Sequence, residues 1–315
     1  MDTMVRSPQI GGCHDLPAFK LIFSCTSGLS PSEVVPSDVS VVFDRTYDRI
    51  PHPDINLEDS ITEIWDTRVQ QNPSLFNGLK FRYAGHTISG GTDSPQKTNV
   101  CLHLGLTDYR LLLRTFVGTN LNPFWESFLL SSEDDWIRCQ HTSNPLGNGA
   151  IVETSDREVV LLQRSNNVGE FPGHFVFPGG HPEPEEVGII GHHIDGDLTQ
   201  QMVNRKVSQE MFDSIIREVA EEIGVPAASL GKPVFIGLSQ RVLNVRPTAF
   251  FFTKCSLQSK EVQQLYSRAQ DGYESTKLYT MSKSNLADIA SKMPGCHQGG
   301  FALYKMMLDA AKENT

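Results

Sequence analysis

Three glutamates and an arginine stand together in the run Arg217-Glu218-Val219-Ala220-Glu221-Glu222-Ile223-Gly224-Val225. Met211, Phe212, Ile215, Ile216, Val219 and Ile223 repeat at helical spacing, so this stretch predicts a helix with one buried face. Ser208 is the expected N-cap, Glu210 falls in the first turn, and Gly224 with Pro226 marks the stop. At 3.6 residues per turn, Glu218 and Glu222 lie on adjoining turns beside the apolar stripe. Glu221 lies further round, one turn from Arg217. Two carboxylates on the shoulder of a buried face repel each other unless a cation lies between them. A hard divalent ion takes oxygen ligands of this kind and bridges them to phosphate oxygens. A solvated face carrying an Arg–Glu pair is the plain alternative. It loses ground because the glycine-bearing run Phe177-Pro178-Gly179-Gly180-His181-Pro182-Glu183-Pro184-Glu185-Glu186 stands at a fixed place before the helix.

These groups need a frame. Residues 1–18 read as a disordered tail, and residues 19–142 as a small α+β unit. In that unit, 21–24, 41–43, 80–88 and 100–106 are expected strands. A helix carries Ile61, Ile64, Trp65 and Val69, with Asp59 or Ser60 as its cap. Trp125, Phe128 and Leu129 suggest a second, short helix. The turn-rich segment 143–150 is the expected boundary, and 143–315 forms the second unit. There the apolar runs 150–153 and 158–164 flank a turn and predict a hairpin. Strands are expected at 175–177, 234–237 and 249–253, and a helix at 299–312. The expected class is α/β, a mixed sheet with helices packed on it.

The chain has 315 residues, 39% of them hydrophobic and 20% charged, as in a globular protein. No apolar run is long enough to span a membrane, and the N-terminal residues lack the pattern of a secretory or transit signal. A cytoplasmic location is the default expectation. The six cysteines are scattered without CxxC spacing, which argues for thiols rather than zinc or disulfides. A net charge of −10 disfavours nonspecific binding to nucleic acid or to an acidic membrane. It leaves room for a small nucleotide whose charge a bound cation would neutralise.

The glycine run and the glutamate helix together resemble the Nudix box, Gx5Ex7REUxEExGU with U aliphatic. Gly180 and Glu186 satisfy its first part, Arg217 to Val225 its second, and Glu183 matches an additional loop glutamate. Residues 187–216 separate the halves where the standard motif has only seven residues. The insertion, at about 187–209, reads as a loop that the fold can spare, since loop closure entropy grows slowly with length. The adjacent His192 and His193 read as solvated parts of it. The resemblance implies a Nudix α/β/α sandwich preceded by the smaller α+β unit. It also implies hydrolysis of a nucleoside diphosphate joined to a second moiety, with Mg²⁺ or Mn²⁺ as cofactor. Glu218 and Glu222 would be metal ligands, Glu221 a third ligand or the carboxylate that activates water, and Arg217 would orient a glutamate.

Beyond the box the chain is similar to the UDP-sugar-hydrolysing Nudix proteins of animals and a related plant type, nearer the plant type. SLFNG, LGLTDYR, FVGTN and VFPGGHPEP carry this likeness. It implies a nucleotide-sugar partner, UDP-glucose or UDP-galactose, cleaved to UMP and sugar 1-phosphate. Phe76 and Tyr109 match positions that contact uridine, Arg164 a phosphate- or sugar-facing arginine, and Gly169, His181 and Glu183 substrate-side loop positions. Phe76 and Tyr109 serve equally well as core aromatics. Val176 replaces an aspartate, and an apolar side chain cannot accept that hydrogen bond. Leu161 to Ser165 with Gly173 and the glycine run also resembles the signature of Nudix coenzyme A diphosphatases, although Gly169 stands where that pattern has a second arginine. A nucleotide-binding protein without turnover is the third reading. The oligomeric state is left open.

Overall fold

Two runs, 147–153 and 247–254, are buried at nearly every position, as strands covered on both faces are. The computed structural model describes residues 18–25, 38–73, 75–90, 98–115, 125–166, 171–193, 198–267 and 275–313. It places those two runs side by side. The first half contributes β1 (Phe19–Ser24), β2 (Val39–Phe43), α1 (Ile55–Gln71), β3 (Leu79–Gly90), β4 (Thr98–Asp108), α2 (Tyr109–Thr115) and α3 (Asp135–Arg138). The second adds β5 (Gly147–Glu153), β6 (Val159–Arg164), β7 (Phe175–Val176), α4 (Gln200–Ile223), β8 (Val234–Arg241) and β9 (Pro247–Lys254). It closes with α5 (Ser259–Tyr266), β10 (Ser275–Met281), α6 (Lys283–Ile289) and α7 (Gly295–Glu313).

The larger sheet runs β1-β8-β9-β5-β6-β10, with β7 also on β6. β5 and β9 are parallel and their neighbours antiparallel, so the sheet is mixed. Side chains alternate across it. Ile151, Leu161, Phe250 and Phe252 point toward Leu303, Tyr304 and Met307 of α7. Ala150, Val152, Val160 and Phe251 point the other way, toward Met211, Phe212, Ile215 and Val219 of α4. This is the α/β/α layering expected. Cys25, Cys101, Cys139, Cys255 and Cys296 are free thiols. Among the described residues, no helix is long and apolar enough to cross a membrane.

The second sheet has the order β2-β4-β3, with β2 parallel to β4. Val39, Val41, Phe43, Phe81, Leu102 and Leu104 of this sheet share one core with the α4 side of the larger sheet. β1 pairs with β8, so the first described strand lies in the larger sheet although it precedes the expected boundary at 143. The reason is pairing, which joins residues far apart in sequence and leaves no trace in local composition. α1 begins at Ile55 under an Asp54 cap, earlier than Asp59 or Ser60.

The insertion also departs from expectation. Its N-terminal part docks and its C-terminal part is helix. α4 starts at Gln200, capped by Thr199 rather than Ser208, and Val203 and Val207 are buried. Gln200, Asn204 and Ser208, four residues apart, form a stripe along the outer edge of β2. Gln200 Nε2 donates to Phe43 O at 2.6 Å, Asn204 Oδ1 accepts from Phe43 N at 3.0 Å, and Ser208 Oγ donates to Val39 O at 2.6 Å. These side chains satisfy backbone groups that an exposed edge strand would leave open. His192 stacks on Phe43, and its Nε2 lies 2.9 Å from both Asp48 oxygens. It is thus a docking residue and not a solvated one.

Replacing residues 188–206 by a short Gly/Ser linker is therefore expected to destabilise the fold. The double variant Gln200→Ala/Asn204→Ala should lose about 1–3 kcal/mol in a denaturant titration, at about 1 kcal/mol per lost hydrogen bond. A linker variant that melts like the wild type would restore the loop reading.

Candidate functional site

The glycine run is pressed onto α4 by its backbone. Gly179 N donates to Glu222 Oε2 at 2.8 Å and His181 N to Glu218 Oε1 at 3.1 Å. Between them, Gly180 N donates to Asn148 Oδ1 at 2.8 Å, and Asn148 N returns a bond to Gly180 O at 2.9 Å. Asn148 is anchored in turn by Nδ2 donating to Ser214 Oγ at 2.9 Å. Neither glycine tolerates a side chain. A Cβ on Gly180 would lie 2.2 Å from Glu218 Oε1, and one on Gly179 would lie 2.3 Å from Asn148 O. The two glutamates and the loop thus fix each other.

Glu210 sits two turns before Arg217 on the same face and is buried. It accepts from Arg217 Nη2 at 2.7 Å and from Glu183 N at 3.0 Å, while Glu186 lies 3.8 Å from Arg217 Nη1. The sequence alone puts Glu210 in the first turn of its helix. Because α4 begins ten residues earlier, Glu210 lies in mid-helix and is the buried partner of Arg217. The signal was its place between Val207 and Met211, a carboxylate interrupting the apolar stripe.

Cations also meet the glycine run. Lys80 of β3 pairs with Glu183, tying the smaller sheet to the glycine run. Arg246 Nη2 lies 2.8 Å from His181 Nε2. Burial, then Arg246 and Lys80, hold His181 well below the ordinary histidine range, so its Nε2 is a neutral acceptor. Burial first, then the charges of Arg241, Arg164 and Arg246, hold His297 well below the ordinary histidine range. Its Nδ1 accepts from Phe177 N at 3.2 Å. Lys80, Asn148, Arg246 and His297 carried no sequence signal, because each reaches the site from a distant element.

The carboxylates show the opposite strain. Burial raises Glu218, and the neighbouring charges of Glu183 and Glu221 raise it further. Burial raises Glu210 too, against the lowering by Arg217 and the Glu183 N–H. Glu221 is exposed. Among the described residues no three acidic, histidine or cysteine side chains form a ready-made metal cage. The donor chemistry nevertheless fits a hard cation: Glu218 is a desolvated carboxylate repelled by two others, and a divalent ion would relieve that repulsion.

Other expected residues divide. Tyr109 N donates to Gly78 O at 3.1 Å, and Phe76 approaches the same glycine, so these aromatics flank one turn two residues from Lys80. Phe76 is 72% exposed, hence not a core residue. Tyr109 is half-buried, edge-on to Trp65, against a cluster holding Leu112, Cys139 and Val245. Arg164 ends β6, with its N–H donating to His174 O at 3.0 Å. Val176 is buried in the core, in register with Leu162. Gly169 lies outside the described residues.

A NUDIX domain model matches residues 144–278. The chain is 57% identical over 296 residues to Nudix hydrolase 9 of Arabidopsis thaliana, covering 93% of this chain and 92% of that protein. It is 33% identical over 274 residues to the Homo sapiens protein named uridine diphosphate glucose pyrophosphatase NUDT22, covering 86% and 85%. The Mus musculus protein of that name is 35% identical over 264 residues, covering 82% and 80%.

The raised Glu218 carboxyl has a consequence for stability. Its favourable contribution is present below the unfolded glutamate pKa, about 4.3, and is lost as pH rises through the folded value. Metal-free Glu218→Gln should therefore melt above the wild type at pH 7, with the gap closing toward pH 4. Thermal scans in chelator would check this, and a variant that melts lower at pH 7 would contradict it.

Proposed function

This chain belongs to the Nudix hydrolase family, and from that premise we propose that it hydrolyses the diphosphate of UDP-glucose or UDP-galactose to UMP and sugar 1-phosphate. The observation that carries the reading is the clamp of Gly179 and His181 on Glu222 and Glu218, with Lys80 on Glu183 and Arg246 on His181. Nudix hydrolases generally depend on a divalent metal, and here Mg²⁺, or Mn²⁺ in its place, would be held by Glu218 and Glu222. When bound, the ion neutralises charge gathering on the phosphoryl oxygens.

The chain's own groups do the rest. Water attacks one phosphorus, the anhydride P–O bond breaks, and the second phosphate leaves with the bonding pair. Glu221, exposed one residue before Glu222, serves in this reading as a third ligand or as the carboxylate that takes the water's proton. Arg217 holds Glu210, which holds Glu183 N, so the loop cannot drift from the helix. Arg164 offers a fork suited to phosphate oxygens. His181 and Glu183 line the same loop, Gly169 follows the Arg164 strand end, and Phe76 and Tyr109 offer faces for a base to stack on. Support for uridine comes from these aromatics and from the names of the animal relatives. A buried Val176 supplies no hydrogen bond to tell glucose from galactose, so weak discrimination between the two is expected.

With millimolar Mg²⁺ and a panel of UDP-glucose, UDP-galactose, ADP-ribose, NADH and coenzyme A, the UDP-sugars should give the highest kcat/KM. Faster cleavage of coenzyme A would overturn the substrate and leave the family standing. Glu222→Gln and Glu218→Gln should each lower kcat by about 10²-fold or more, the scale of losing a charge-stabilising group. Tyr109→Ala should mainly raise KM. Near-wild-type rates in either glutamine variant would remove that residue from the site.

A further inference from the structure

A cavity of about 340 Å³ opens at the seam between the two sheets. Its described wall draws on β1 and β8 of the larger sheet, on β3 and β4 of the smaller one, and on α3. None of those wall residues belongs to the glycine run or to α4. The volume lies at the lower end of the range for small-molecule sites, about 300–1,000 Å³. The polar groups of this wall do not close on one another. Asn144 is clamped to Tyr83, with Nδ2 donating to Tyr83 O at 2.6 Å and Tyr83 N donating to Asn144 O at 3.0 Å. Its Oδ1 is buried and has no hydrogen-bond partner. Gln240 of β8 is 3% exposed, and its side-chain amide makes no hydrogen bond among the described residues. Neither does the imidazole of half-buried His103, which burial holds below the ordinary histidine range. A neutral imidazole offers one donor and one acceptor. Roughly 90% or more of buried polar groups have a partner, so three open ones on a single wall call for an occupant.

The rest of the wall says what kind of occupant. Tyr47 and His103 stack at 5.0 Å with 8° between their planes, and Trp136 stands edge-on to Tyr47 at 6.1 Å. These are flat, apolar faces. Charge does not make the cavity an anion site. Arg82 is fully buried, but its Nε, Nη1 and Nη2 already donate to the carbonyls of Thr142, Tyr47 and Cys139, and the guanidinium lies over Trp136. Asp134 and Asp135 add negative charge to the same wall, the second of them paired with Lys20 at 2.7 Å. With both signs present and the guanidinium engaged, a neutral ligand fits better than an ion. A flat, neutral group with N–H donors beside acceptors along its edge has the chemistry of a nucleobase. Aromatic side chains stack on the faces of bases, and Asn and Gln amides read their donor–acceptor edges.

We propose that this cavity is a second ligand site, one that takes the base of a nucleoside against the rings of Tyr47 and Trp136, with its edge meeting the open groups of Gln240, Asn144 and His103. The inference is independent of the reaction assigned to the glutamates and of the sugar nucleotide cleaved there.

The test uses the full-length protein carrying Trp65→Phe and Trp125→Phe, which leaves Trp136 as the single tryptophan of three. Adenosine and uridine are titrated separately, up to millimolar concentration and without metal. At least one of them should change the Trp136 emission saturably. In the same background Gln240→Met should weaken that binding about tenfold, the scale of a hydrogen bond lost with its partner left unpaired. His103→Phe should weaken it by a similar factor while keeping a ring on Tyr47, and it serves as the second variant should Gln240→Met fail to fold. Gln240→Met should melt no lower than its parent, because the amide it removes has no partner within the fold; an amide that props the structure would show a lower midpoint. Tyr109→Ala should bind the nucleoside as its parent does, which separates this cavity from the stacking surface near Lys80. No saturable change with either nucleoside means a cavity filled by water and overturns the proposal. Unchanged binding in both Gln240→Met and His103→Phe overturns it as well, and so does loss of binding in Tyr109→Ala.

Discussion

A carboxylate that must face a cation needs to be held by something other than a cation. In this protein the holding is done by peptide N–H groups. Gly179 and His181 each donate one to a glutamate on α4, and the contact closes only because Gly180 has no side chain to occupy the space that Glu218 fills. Charge-assisted bonds of this kind are among the stronger ones available to a folded chain. They also leave Glu218 Oε2 without a hydrogen bond from any described residue. Asn148 adds a side-chain and a backbone bond to the same peptide, and through Ser214 it ties β5 to α4. Loop, helix and sheet are therefore positioned by one cluster of bonds.

That cluster is costly by itself. Burial raises Glu218 and Glu210, so the fold holds carboxylates where they resist ionising. Arg217 offsets part of this at Glu210 by pairing at 2.7 Å. The same desolvation acts on His181 and His297 with the opposite sign, aided by neighbouring cations. A divalent ion bound at the carboxylates would relieve their share of the cost.

The smaller sheet belongs to this arrangement because of α4. The helix ends at the glutamates but starts far ahead of them: of its 24 residues, the first turns satisfy the open edge of β2 through Gln200, Asn204 and Ser208. The extension brings β3 to the glycine run, where Lys80 meets Glu183. One rigid element thereby sets both the metal-side glutamates and the sheet that brings in Phe76 and Tyr109.

Much of this was legible in sequence. The spacing of Gly180, Glu186, Arg217, Glu218, Glu221 and Glu222 gave the helix, its chemical face and the family, because these features depend on residues close in the chain and on a period that local geometry enforces. Apolar runs located most strands of the larger sheet for the same reason. The insertion was misread because its Gly, Asp and His content suggested a loop, while the helical stripe at 200, 204 and 208 is polar and gives no apolar period. Polar edge-binding residues look like solvent-facing ones until the strand they bind is known. The pairing of β1 with β8, the Lys80–Glu183 contact, the seat of Arg246 on His181 and the burial of Val176 were likewise decided by tertiary structure. Each depends on which distant segments meet, and hydrogen-bond partners across a fold leave no periodic mark on either sequence.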